Sequence, residues 1–278
     1  MKCPALFVLF LCFASSVTFA EDHAAIRSAR IFHASFDQSA DADLAKGDAK
    51  IQTADSLKRE KVQSGISTDA VRWTKSGGRV GGALEFVRKC DELVFFKGGK
   101  NVPFRKTHFA GTVSLWMKLN PKQDLPKGYV DPLQITDKKW NDASFFVDFD
   151  QEASRDFRLG VFSDFAFWNP KKRNFDDIPA EERPMVTVKT PPFSREDWTH
   201  VVFTWERFND GDEQAVAMLY LNGRLQGEIK GKQRFTWQPE DAVIMLGINY
   251  VGWMDEISIY DRALTAKEVG TLRQSIAK

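Results

Sequence analysis

Cysteine is almost absent from this chain: Cys3 and Cys12 lie in the first twenty residues, and only Cys90 follows. A chain left with one thiol closes no internal disulfide, so its stability must come from a buried core. An excess of either charge is lacking as well. The formal net charge is +1, from 39 basic and 38 acidic side chains, which excludes a nucleic-acid footprint built on surplus positive charge. After the first twenty residues no apolar run is long enough to span a bilayer. His33, His108 and His200 show no HExxH or other metal-ligand spacing, and no serine sits in a GxSxG turn. The glycines from Gly77 to Gly82 match no phosphate-loop spacing and are followed by no helix, so they read as a turn with close strand approach. Cys90, beside Lys89, reads as inert packing.

What is present begins with a leader. Lys2, an apolar run from Ala5 to Phe13, and Val17-Thr18-Phe19-Ala20 ahead of Glu21-Asp22 have the layout of a secretory signal cleaved after Ala20. The expectation is a signal peptide over 1–20, one domain over 21–278, and a secreted or periplasmic location without a transmembrane segment once the signal is removed. A membrane anchor is disfavoured by the short apolar run, and a lipoprotein at Cys12 by Phe10 and Leu11 where small residues belong.

The mature chain then alternates at period two in many short stretches. Phe32, Ala34 and Phe36 share one side of the first. Val113, Leu115, Met117 and Leu119 oppose Thr112, Ser114, Trp116 and Lys118 in another. Further strands are expected at 144–149, 157–162, 198–205 and 243–247, and Asn222-Gly223 between apolar runs predicts a two-residue hairpin turn. From Trp253 the pattern places Trp253, Asp255, Ile257 and Ile259 on one face, with Met254, Glu256, Ser258 and Tyr260 on the other. Thr265 and Glu268 form a capping-box pair, Leu264 and Val269 occupy staple positions, and Val269, Leu272 and Ile276 repeat at helical spacing. The sum is an all-β chain: a two-sheet antiparallel jelly-roll sandwich with a short C-terminal helix, whose closing strand locks it. With 23 Phe and 8 Trp, most aromatics belong between the sheets.

Six short pieces in order resemble laminin G-like (LamG) domains of the concanavalin A-like lectin/glucanase superfamily, in their secreted bacterial form. They are Phe36-Asp37, Gly82-Ala83-Leu84, Ser114-Leu115-Trp116, Trp198-Thr199-His200-Val201, Leu219-Tyr220-Leu221-Asn222-Gly223, and Met254-Asp255-Glu256-Ile257 through Leu264. The resemblance implies a jelly roll, frequent binding of sugars or proteins, and often a structural calcium (Ca2+) between the first-strand exit and the closing strand. Asp37 and Asp255 are the candidate ligands, although Gln38 stands where glycine usually follows the Asp. The other reading of Asp37, Asp41 and Asp43 is a turn whose carboxylates cap their own backbone.

Two constellations remain. Asp148, Asp150 and Glu152, spaced two apart, resemble the carboxylates of laminarinase-type glucanases, but an Asp replaces the first Glu and Gln151 to Ser154 read as a turn. The long segment between Phe162 and Val186 carries Phe165, Phe167, Trp168, Asn169 and Arg173, whose flat rings and polar donors suit a sugar; Trp140 and Tyr250 are candidate additions. Inward folding of those rings to pin the loop is the alternative. The expectation is a non-catalytic exported binding module with a carbohydrate partner, then a cell-envelope protein partner in an adhesion or structural role, then a glycoside hydrolase; no nucleic acid is expected.

Overall fold

The computed structural model describes residues 23–211 and 214–275, so the leader and Ile276 lie outside the described residues. In chain order the strands are β1 (Arg30–Ala34), β2 (Leu44–Ala45), β3 (Gln52–Ala54), β4 (Val62–Ser64), β5 (Val71–Thr74), β6 (Ala83–Phe86), β7 (Leu93–Lys97), β8 (Phe109–Lys118) and β9 (Val130–Lys139). They continue with β10 (Asp142–Phe149), β11 (Phe157–Phe162), β12 (Met185–Val188), β13 (Thr199–Phe208), β14 (Ala215–Leu221), β15 (Arg224–Gly231), β16 (Val243–Ile248) and β17 (Gly252–Tyr260). One sheet runs β15-β14-β13-β8-β17-β1-β2, with β6 also on β17 and β5 on β6; the other runs β12-β11-β10-β9-β16-β7-β3-β4. The pairings are antiparallel.

The sheets meet through their alternating apolar faces. Val113, Leu115 and Met117 of β8 enter the same core as Leu133, Ile135, Phe145, Val147 and Phe203, while Ser114 and Trp116 point away. That burial drives the pairing, because each strand has one face that water would otherwise wet. Asn222 and Gly223 both take positive φ (50° and 76°), as the hairpin requires.

The closing strand is central: β17 pairs with β1, β6 and β8. Its face assignment differs from simple alternation. Met254, not Trp253, lies in the core with Ile257 and Ile259. The β17–β8 register shifts between Asp255 and Ser258, and Glu256 adopts φ 53°, so a bulge inserts one residue and flips what precedes it. β9 went unseen because it contains Pro132, which a strand interior excludes unless the ladder is broken there. The ladder is broken there: Leu133 faces Val147 and Val130 faces Phe149, leaving Asp131 and Pro132 opposite Asp148 alone.

The C-terminal helix Ala266–Gln274 starts as its sequence dictates. Thr265 Oγ1 accepts from the Glu268 amide while the Glu268 carboxylate accepts from the Thr265 amide, and Arg262 donates twice to the same carboxylate. That Arg262 pair holds the Glu268 carboxyl down at about 2. Leu264 and Val269 pack with Ile26, Val202, Tyr220 and Tyr260 on the outer face of the first sheet, and Leu272 joins them half-buried. Thr265→Ala should therefore cost about 1 kcal/mol and Val269→Ala about 2 kcal/mol in urea unfolding. Equal, negligible losses would mean that the helix does not dock.

Candidate functional site

A groove of about 480 Å³ crosses the outer face of the second sheet. Its floor follows from an exception to alternation. Phe146 of β10 and Met245 of β16 point outward where polar side chains would be expected, and the Phe146 ring lies flat over Gly160, where an added Cβ would meet it at 2.2 Å. Phe146 also stacks on Phe162 at 5.5 Å. Trp140, 39% exposed, stands edge-on to both Phe162 (5.6 Å) and Phe175 (5.1 Å) and forms a wall.

One end is polar. Asp148 and Arg158 face each other across β10 and β11; Arg158 Nε donates to Asp148 Oδ1 at 2.9 Å and Nη2 donates to Oδ2. The Arg158 guanidinium lies 5.1 Å from the Tyr129 ring centre. The β9 break sets Asp131 beside this pair. Burial and then the neighbouring Asp148 charge push the Asp131 carboxyl well above the usual carboxylate range, with Arg158 opposing. Burial also raises Asp148, with Arg158 opposing. The Asp131 carboxyl, a bidentate ion pair and the Gln134 amide thus edge an apolar floor walled by aromatic rings. Such a surface stacks the apolar face of a ring and hydrogen-bonds its hydroxyls.

Of the candidate ligand-binding aromatics and donors, only Trp140 lines this groove, together with Asp148 of the carboxylate series. Trp168 is half-buried, donates its indole N–H to Asn141 O and meets Phe162 edge-on, so it joins the aromatic cluster from behind. Phe165 packs on Trp168, and Phe167 lies on the loop surface under Arg234. Asn169 is buried, and its amide spans Arg173: Nδ2 donates to Arg173 O and Oδ1 accepts from Arg173 N. The Arg173 side chain pairs with Glu182. These residues pin the loop, and the pinned loop carries Phe175 to the groove. Tyr250 is a correction: it is fully buried, edge-on to Phe86, with its hydroxyl donating to Trp253 O, so it offers no face to a ligand. Sequence reasoning missed Asp131, Phe146 and Arg158; the outward Phe in an otherwise alternating strand was their signal.

The three-carboxylate spacing does not become a site. Glu152 is exposed in the turn after β10, and Asp148 is consumed by Arg158. Burial raises the Cys90 thiol to about 11, which keeps it unreactive.

Asp37 and Asp255 do converge, but on the glycine turn. Asp255 Oδ2 accepts from the amides of Arg79 (2.7 Å) and Val80 (3.4 Å), and Oδ1 from that of Glu256 (2.8 Å). Asp37 Oδ1 accepts from the Gly82 amide, and Gly81, at φ 55°, leaves no room there for a Cβ. Asp41 and Asp43 accept from the Ile51 and Ser35 amides. Asp255 thus has both its oxygens, and Asp37 one, committed to amide hydrogens. Among the described residues no cluster of three or more His, Cys, Asp or Glu forms a metal cage. The residues present do not fit a calcium ion. Chelator should leave the melting temperature unchanged, while Asp37→Ala lowers it with or without calcium; a chelator-dependent shift would reverse this reading.

A model of the concanavalin A-like lectin/glucanases superfamily matches residues 96–270, more than half of the chain. The chain belongs to that superfamily. Among curated proteins no sequence relative was found. Domain 4 of AbnA, a GH43 extracellular arabinanase from Geobacillus stearothermophilus solved with arabinotriose, is 20% identical with a TM-score of 0.52, covering 88% of this chain and 100% of that one. A botulinum neurotoxin type C structure, reported for its interaction with two ganglioside molecules, is 14% identical with a TM-score of 0.52. It covers 90% of this chain and 52% of that one, so the match spans about half of the toxin chain. At these identities the likeness is one of fold, and the superfamily member described here must be read from its own groove.

Proposed function

We propose that this superfamily member is an exported, non-catalytic carbohydrate-binding module whose groove holds a saccharide between Trp140, Phe146 and the Asp131–Asp148–Arg158 row. The carrying observation is that groove: an aromatic wall and an outward-facing Phe floor, ending in carboxyl and guanidinium groups already paired in place. Preorganised donors cost little ordering entropy when a ligand arrives, and a flat ring gains contact on the apolar floor. The leader layout at 1–20 supports export, and no helix of the described residues is long and apolar enough to cross a membrane. A glycan array with residues 21–278 tests the reading. Trp140→Ala should weaken the best hit at least about tenfold, or about 1.4 kcal/mol, without changing the fold. Absence of any glycan hit, with a cell-envelope protein captured instead, would favour adhesion.

A specific observation keeps glycoside hydrolysis as a second reading. Asp131 and Asp148 lie side by side, burial raises both, and Arg158 is bonded to Asp148 alone; two carboxyls in unlike surroundings are the arrangement acid catalysis uses. Against it, Arg158 engages both Asp148 oxygens and leaves no free nucleophile. Release of reducing sugar that disappears in Asp131→Asn would establish hydrolysis.

A further inference from the structure

The opposite sheet carries a second, smaller recess of about 70 Å³ between its outer face and the end of the C-terminal helix, where Leu272 and Ser275 form the rim. Its floor is polar. Ser114 and Trp116 of β8, His200 of β13, and Glu256 and Ser258 of β17 line it, with Arg30 and Arg79 at the sides. The β17 bulge creates it, because the inserted residue turns Glu256 outward at φ 53°.

Three buried polar atoms around this recess have no partner among the described residues: Arg30 Nε, His200 Nδ1 and Glu256 Oε1. His200 is 1% exposed and Glu256 8%, so bulk water does not satisfy them. A buried polar atom left without a partner is destabilising unless something fills the space. The rest of the recess is fixed. His200 Nε2 and Ser114 Oγ are 2.8 Å apart, the Trp116 ring stacks on His200 at 4.5 Å, and the Arg79 guanidinium covers Trp116 at 3.8 Å. His33 Nδ1 similarly meets Ser258 Oγ at 2.8 Å, with Glu256 Oε2 3.6 Å from its Nε2.

That Ser258–His33–Glu256 line has the composition of a nucleophilic triad but not its chemistry. Burial lowers His33 to about 4 and raises Glu256 to about 7, so the imidazole is a poor base and the carboxyl a poor support. The recess binds rather than reacts. Two guanidiniums face one carboxyl, both histidines are neutral because burial also takes His200 down to about 3, and the hydroxyls of Ser114, Ser258 and Tyr260 add donors. The space is that of a few water molecules or one small ion.

We infer that this recess is a binding site for one small oxyanion, a sulfate or carboxylate group, held by Arg30, Arg79 and His200 beside the Glu256 carboxyl. The site is independent of the groove and of any saccharide there. Its signature is proton linkage. Glu256 is faced by Arg30 and the neutral His33 from β1, by Asp37 and Asp43 from the turn after it, by Arg79 from the glycine turn, and by Tyr260 and Asp255 on its own strand; among the described residues no lysine or arginine stands at ion-pair distance from it. An incoming anion raises its proton affinity further, so binding takes up a proton and tightens as pH falls through about 7.

The test is calorimetric titration of the mature protein with sodium sulfate, whose charge is constant over the range, against sodium chloride of equal ionic strength. Saturable sulfate binding at least tenfold tighter at pH 5.5 than at pH 8.5 is expected. Glu256→Gln should bind at both pH values alike, Arg30→Gln and Arg79→Gln should each lose binding while circular dichroism stays native, and Trp140→Ala should change nothing. Competition by galactose 6-sulfate or glucuronate would assign the anion to a sugar substituent, and its absence to a free ion. No saturable sulfate binding, or binding unaffected by both arginine variants, would overturn the inference.

Discussion

Arg158→Ala should lower the unfolding free energy by about 3–5 kcal/mol, because it strands a buried carboxylate that the wild-type chain neutralises. Both Asp148 oxygens lose their donors, and Asp131 loses the one cation that offsets burial. The deficit should depend on pH in a definite direction. Carboxyls whose folded-state proton affinity is raised contribute stability at low pH and lose it as pH rises through their folded values. In wild type Asp131 and Asp148 are already raised by burial, and without Arg158 they rise further. The variant should therefore be most handicapped at neutral and alkaline pH, and should recover as the buffer is taken down toward the ordinary carboxylate range of about 4. Urea midpoints at pH 4.5 and pH 8 measure this; a deficit equal at both, or below about 1 kcal/mol, would show that the pair is solvated and the groove's polar end is not built as described.

Phe145→Ala should cost about as much, 3–5 kcal/mol, for a different reason. Phe145 is fully buried where the two sheets meet, with Trp205 and Phe235 ring centres each 4.7 Å away and Phe208 at 5.7 Å. Removing the ring leaves a cavity that rigid aromatic neighbours cannot fill by small rotations. Phe146→Ala, one residue along on the outer face of the sheet, should cost less, since its ring is packed by Gly160, Phe162 and Trp140 at the groove and not by the aromatic cluster between the sheets. A larger loss at Phe146 than at Phe145 would mean that the faces of β10 are reversed.

The contrast between these neighbours shows what the residues made legible. Period-two patterning in β8, the Asn222-Gly223 turn and the Thr265–Glu268 box are local signals, and each appears where its chemistry puts it. The closing strand was legible as an element but not in register, because a bulge depends on what the neighbouring strand needs and leaves no mark in alternation. β9 was hidden by Pro132 for the same reason. The site was less legible still. The 163–184 segment looked like the recognition surface because it is long and aromatic, yet Asn169 and Trp168 spend their polar atoms on backbone. Asp131, Phe146 and Arg158 lie far apart in sequence, on three strands, and only pairing sets them side by side. Asp37 and Asp255 were read as neighbours of each other and as ion ligands; both reach the glycine turn, whose amides they accept from, and residue type alone does not distinguish an amide acceptor from an ion ligand.

The central claim is that this sandwich binds saccharide in the groove of the second sheet, and tryptophan indole N–H resonances test it directly. Trp140 stands in that groove, Trp205 and Trp237 lie in the core, and Trp116 and Trp253 belong to the first sheet. Titration of labelled mature protein with the best glycan-array ligand should shift the Trp140 indole signal in a saturable way and leave those of Trp116 and Trp253 in place. Saturable shifts at Trp116 or Trp253 with Trp140 unmoved would contradict the account and put the binding face on the other sheet.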